Sequence, residues 1–175
     1  MNKLDLEALR GLSHSPIHNY ILAGLDSHLL GFTTRVFVNT RESSGKITPH
    51  SHRFNFQCLV LRGSVVNTLF VGSDDGDEYQ ITETRYLGSP GKYATLKTDR
   101  SKYAASSTTY VYGDWYGMTH EEIHSISFSR DAVVLFIEGQ QITDKSFYIE
   151  PHVGGETIPT MKTEPWMFAT YQGES

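Results

Sequence analysis

From Phe32 to Glu150 the chain reads as a series of short runs rich in Val, Ile, Thr, Phe and Tyr, each stopped by turn-forming residues. The runs predict strands near 32–39, 54–62, 64–71, 78–87, 92–98, 107–112, 123–129, 132–138 and 146–150. Between them stand "ESSGK", "RGS", "GSDDGD", "GSPGK" and "SRD", whose Gly, Pro, Ser and Asp residues favour chain reversal. Many short strands at this spacing imply a sandwich or barrel, so the fold class is mainly β. Fifteen glycines, ten tyrosines and nine phenylalanines agree with that reading and not with a helical bundle. "SDDGDE" reads as a hairpin tip, with Gly76 supplying the positive φ of a tight turn. Its carboxylates do not make a calcium loop: the stretch is too short for an EF-hand and has no bidentate Glu at the required distance.

Before Phe32 the periodicity changes. Leu4, Ala8, Leu9 and Leu12 fall at helical spacing, with Asp5 and Glu7 near the start. Pro16 is placed to open a second helix carrying Ile17, Ile21, Leu22, Leu25 and Leu29 on one face, ended by Gly31. The expected plan is a helical segment over 1–31 and a β barrel over 32–175 within one domain. In the tail "TIPTMKTEPWMFATYQGES", Trp166 and Phe168 alternate and suit an edge strand or a cover for a partner subunit.

At 175 residues the chain can bury one substantial core. A formal charge of −5 and a pI near 5.9 oppose general nucleic-acid binding, which needs a basic face. The single cysteine, Cys58, excludes an intramolecular disulfide and suits a reducing compartment. "MNKLDLEALRG" lacks a signal-peptide core, and no apolar run is long enough to span a membrane. The expected location is cytoplasmic, with no membrane partner.

Two histidine pairs carry the functional signal. In "PHSHRFNFQCLVLRG", His50 and His52 precede an apolar run, and on a strand residues two apart face one side. Two imidazoles so placed can reach one ion at about 2.0–2.1 Å. Phe54, Phe56, Cys58 and Val60 continue that face, as the wall of a small-molecule site inside a barrel would. In "GMTHEEIHSISF", His120 and His124 spell H-E-x-x-H, the zinc-peptidase pattern, which requires a helix through the motif. Gly113 and Gly117 before it, and "HSISF" after it, favour a strand instead.

Taken together, Gly45, His50, His52, Gln57 and Gly63 resemble the first motif of the cupin superfamily, with Gln57 where the acidic ligand usually stands. The resemblance implies a double-sheet jelly-roll barrel, to which the periodicity before Phe32 adds short N-terminal helices. It also implies a further metal-binding histidine in a second motif, and a homodimer. Two registers compete for that histidine. Gly117-x-x-His120 keeps the usual glycine spacing, whereas His124 heads a strand; His124 is favoured and His120 is the second choice. The three-histidine set is similar to that of thiol dioxygenases. It implies a divalent metal, Fe(II) first and Zn, Mn or Ni as alternatives.

Substrate-binding candidates are Gln57, which strict alternation turns away from the histidines, the arginines Arg35, Arg53 and Arg62, suited to a carboxylate or phosphate, and Tyr112. Three functions follow: a metal-dependent oxygenase acting on a small polar substrate, a non-catalytic cupin binding an anionic metabolite or nucleotide, and a zinc peptidase.

Overall fold

Strict alternation in "FNFQCLVLR" places Phe56, Cys58 and Val60 on one face, and in the computed structural model these three are buried whereas Asn55 and Gln57 are exposed. The structure describes residues 20–22, 25–31, 33–39, 47–88 and 93–151. Within them lie ten strands: β1 (Tyr20–Leu22), β2 (Leu25–Leu29), β3 (Thr34–Val38), β4 (Phe54–Arg62), β5 (Ser64–Tyr86), β6 (Tyr93–Val111), β7 (Trp115–Met118), β8 (Ile123–Phe128), β9 (Val133–Gln141) and β10 (Lys145–Pro151).

One sheet has the order β1-β2-β3-β9-β4-β7. The other joins β10, β5 and β6, with β8 also pairing β5, and His50 bridges to both β8 and β10. Each sheet therefore interleaves strands distant in sequence: β3-β9-β4-β7 on one side, residue 50-β8-β5-β6 on the other. That is the strand order of a jelly roll, as the cupin resemblance implies. Leu25, Val60, Val65, Ala132 and Val134, all fully buried, fill the space between the sheets with Phe56, Phe128 and Phe136.

Gly63 closes the β4–β5 turn with φ +70°, and a side chain there would collide with Ser129 Oγ and Ala132 Cα at 2.7 and 2.9 Å. It is the motif glycine, and both its backbone angle and its surroundings require glycine.

Three expectations are corrected. The second helix does not form where the chain is described: Leu25–Leu29 is a strand antiparallel to β3, and Tyr20–Leu22 pairs with it. Leu25 and Leu29 satisfy a helical period, but so short an apolar run fits either period, and sheet pairing decides. "SDDGDE" is not a hairpin tip. β5 runs through it, with the register slipping between Gly72 and Asp77, both opposite Tyr103, so the turn-forming residues make a bulge. Gly76 is accordingly absent from the positive-φ glycines; it is needed because the backbone of Tyr103 and Ala104 passes against it. The runs near 92–98 and 107–112 are one strand, β6, antiparallel to β5. The first predicted helix, His14, His18, His152, Gly45, Trp166 and Phe168 lie outside the described residues.

Candidate metal centre

Two pieces of backbone place the three histidines: the segment carrying His50 and His52, and β8 carrying His124. Residues 49–51 are held between β8 and β10: His50 and His124 exchange N–H···O bonds of 2.9 and 3.0 Å, Ser51 N–H donates to Phe147 O at 2.7 Å, and Ile149 N–H donates to Pro49 O at 2.9 Å. Residues directly opposite in an antiparallel pair share a face, so His50 and His124 point the same way. His52, two residues on, completes the group: one ring nitrogen from each of His50, His52 and His124 lies within 4.8 Å of the others.

Second contacts fix the tautomers of two of them. A carbonyl can only accept, so His50 Nδ1–H donates to Thr48 O at 2.8 Å, leaving Nε2 with its lone pair. His124 Nδ1–H donates to Asn67 Oδ1 at 2.7 Å, again leaving Nε2 bare, while the Asn67 amide N–H points to Met118 Sδ at 3.4 Å. Ligating histidines are oriented in this way, through the ring nitrogen that does not bind the ion. His52 Nε2 then meets His124 Nε2 at 3.0 Å. A neutral His52 donating its Nε2–H to the bare His124 Nε2 accounts for that separation, and so would an ion held between the two lone pairs. Two ligands about 2.1 Å from an octahedral ion and at right angles are themselves about 3.0 Å apart.

The surroundings are apolar. The Phe56 ring lies 4.6 Å from that of His52 and 5.5 Å from that of His124, and Phe56 packs on Phe136 at 4.9 Å. Burial, reinforced by the neighbouring imidazoles, holds His52 well below the usual histidine range and His124 down to about 3. Burial also lowers His50, against the opposing bond to Thr48. All three are neutral at pH 7, the form that ligates metal.

Of the competing registers, the structure brings His124 into the group. His120 sits in the turn before β8, its backbone N–H bonded to Asn55 Oδ1 at 2.8 Å. H-E-x-x-H is thus a turn running into a strand, with no helix face for the two histidines to share. Gln57 faces outward on β4, as alternation required. The inward position beside the histidines is Phe56, so a phenyl ring and not the Gln57 amide packs against them.

Arg62 pairs with Asp131 at 3.6 Å, at the end of β4 remote from the histidines, and Tyr112 is exposed beside Gly113, whose N–H bonds Val60 O at that same end. Arg53 stacks on Tyr86, its Cζ 4.7 Å from the ring centroid. Arg35 alone of these five lies inside the barrel, opposite Phe136 on β9 and 3.6 Å from Glu138. The sequence reading missed Asn67 and Glu138, each one polar residue at an inward position of a strand; their alternation with buried neighbours was the available signal.

No protein-family model matches the chain, and a comparison with curated proteins finds no relative. Among solved structures it is similar to Drosophila melanogaster CENP-C bound to CAL1, at 14% identity and a TM-score of 0.44, covering 77% of this chain and 92% of that one. It is also similar to an oxalate decarboxylase from Bacillus subtilis, at 13% and 0.42, covering 72% and 28%. A third is the hydroquinone 1,2-dioxygenase PnpCD in complex with Cd2+ and 4-hydroxybenzonitrile, at 11% and 0.38, covering 77% and 69%. The strand order, independent of these likenesses, defines a jelly-roll barrel, and its interior carries a three-histidine group that could hold a metal ion.

Proposed function

We propose that this protein is a metal-dependent cupin in which His50, His52 and His124 hold Fe(II), or another divalent ion such as Zn, Mn or Ni, and that it acts as an oxygenase on a small polar substrate. The observation that carries the reading is the convergence of one ring nitrogen from each of His50, His52 and His124 within 4.8 Å of one another, with Nε2 of His50 and His124 left bare by the bonds to Thr48 and Asn67. With three protein ligands, an octahedral ion keeps positions for substrate and dioxygen, and an iron ion would supply the redox chemistry. The chain's own share is to keep the three imidazoles neutral, fix two tautomers through Thr48 and Asn67, and exclude water with Phe56 and Phe136. Cys58, buried with its thiol pushed up to about 12, is an inert core residue compatible with a cytoplasmic setting.

Metal analysis of protein purified without chelator tests this. Near-stoichiometric iron that disappears in H50A/H124A supports the proposal, and loading that survives both substitutions overturns it. Cobalt substitution gives a second readout: an open site of five or six ligands absorbs weakly in the visible, whereas intense tetrahedral bands would mean a closed structural site.

The non-catalytic alternative, a cupin that binds an anionic metabolite or nucleotide, is favoured by the lack of a carboxylate beside the three histidines, where Gln57 faces outward and Phe56 packs inward. Metal-free protein that still binds such a ligand would establish it.

A further inference from the structure

β6 is the edge strand of its sheet: among the described residues its ladder is to β5 alone. Its two halves present that edge differently. From Tyr93 to Lys102 the strand carries Lys97, Asp99, Arg100 and Lys102. The register also slips there, between Gln80 and Thr82, whose partners are Arg100 and Lys97, so β6 bulges. Charges and bulges are the devices that stop an edge from templating another strand. From Tyr103 to Val111 there is neither charge nor proline, the ladder to Ser64–Gly72 is unbroken, and Ala104 to Thr109 are all exposed.

The end of this second half shows which backbone groups face outward. Val111 N–H donates to Asp114 Oδ2 at 2.8 Å, and Val111 O accepts from Asp114 N–H at 2.9 Å, so neither is spent on β5. Its ladder partner Ser64 likewise turns away, its N–H donating to Ser129 Oγ and its carbonyl accepting from Ser129 N–H, both at 2.9 Å. Ser64 and Val111 are therefore a non-hydrogen-bonded pair, and such pairs alternate with bonded ones along an antiparallel ladder. The N–H and C=O groups of Tyr103, Ala105, Ser107 and Thr109 accordingly point to the open edge. Asp114 caps Val111; among the described residues no strand pairs with the other four on that side.

We infer that this half of β6 pairs with the same half of a second copy of the chain, antiparallel and two-fold about Ser106. Tyr103 then lies opposite Thr109 of the second copy, and Ala105 opposite its Ser107. Each of the four open residues exchanges bonds with another of the four, about eight bonds in all, and the capped Val111 is not needed. Ala104 falls opposite Thr108 and Lys102 opposite Tyr110, so no like charges meet. Centring the pair on Arg100 or Lys102 would instead set that cation against itself. To a foreign strand, Ala104 to Thr109 offer no charge and only small side chains, so this edge selects little besides its own sequence.

Sedimentation of the full chain tests the inference. Wild type is a dimer at about 100 μM. A105P removes an N–H that points to the open edge and not to β5, so it sediments as a folded monomer. S106K and S106E each place two like charges on the two-fold axis and weaken self-association about tenfold or more, and an equimolar mixture of the two restores dimer as the mixed pair. Circular dichroism checks folding in each case, and the mixing experiment stands alone if A105P misfolds. Wild type that stays monomeric at that concentration overturns the inference; if this monomer binds an unrelated extended Thr/Val peptide and A105P does not, the edge serves a foreign strand instead. Folded A105P that dimerises like wild type, or a mixture of folded S106K and S106E that stays monomeric, also overturns it.

Discussion

β4 and β6 are both long strands of the barrel, and they are built on opposite terms. On β4 the inward residues Phe56, Cys58 and Val60 are buried and the outward Asn55 and Gln57 are exposed, with a neighbouring strand on each side. On β6 every residue from Ala104 to Thr109 is exposed whichever way it points, and that stretch is held by its ladder to β5. The difference teaches where order comes from. β4 is kept in place by burial of apolar side chains, and that burial also imposes the alternation that makes a strand visible in a sequence. Between Tyr103 and Tyr110, which pack on Tyr79 and Tyr116, β6 is kept in place by backbone hydrogen bonds, which any non-proline residue can make, so the side chains of that stretch carry little record of its conformation.

Four measurements would break or sharpen that contrast. The largest effect is expected from Phe56→Ala, which deletes a buried ring from the β4 wall and should cost about 3–5 kcal/mol in chemical denaturation; a loss below about 1 kcal/mol would mean that β4 owes its place to something other than packing. Next, Asn67→Ala on β5, the strand shared by both environments, should weaken metal binding about 10- to 100-fold with the fold retained, because His124 loses the partner that fixes its tautomer. Unchanged affinity would show that the tautomer needs no such help.

The third concerns pH. His124 has a folded pKa of about 3 against an ordinary 6.5, so between these values the unfolded chain binds a proton that the native protein does not. Stability of the metal-free protein should therefore fall as pH drops below about 6.5, by about 1.4 kcal/mol per pH unit from this group, and this contribution should be flat above it. An H124N variant should reduce the slope; the same slope in both proteins would assign the effect elsewhere. Smallest of all, Thr108→Ala on β6 should change stability by about 0.5 kcal/mol or less. A loss of 2 kcal/mol there would reveal a packing partner on that edge and erase the contrast.

The same reasoning explains how legible the chain was. β4 is visible to the residue because alternation is strict from Phe54 to Val60. β8, β9 and β10 are visible because their inward faces are also buried. β5 and β6 were each read as two pieces. "SDDGDE" has the composition of a turn, and composition does not distinguish a reversal from a bulge of the same residues against a partner strand. The strand over Leu25–Leu29 was read as helix because Leu25 and Leu29 sit four apart, a spacing shared by one helix turn and by one face of a strand.

At the site, the proximity of His50 and His52 was legible because two residues on one extended segment must face alike. The choice of His124 over His120 rests on strand character, and His124 is the one whose ring lies with those of His50 and His52. Arg62 and Tyr112 could not be excluded from sequence, since their positions at the other end of β4 depend on which strand ends meet. Asn67 and Glu138 carried no motif; they matter because Asn67 faces His124, and because Glu138 neighbours Phe56 and meets Arg35.

By itself, then, the sequence determined a turn-rich β chain and the same-side placement of the first two histidines, because periodicity and turn chemistry act over a few residues. Tertiary structure decided which third histidine joins them, which polar groups orient the rings and which ion pair lies inside the barrel. Those relations link strands tens of residues apart, and only the register between paired strands sets which side chains meet.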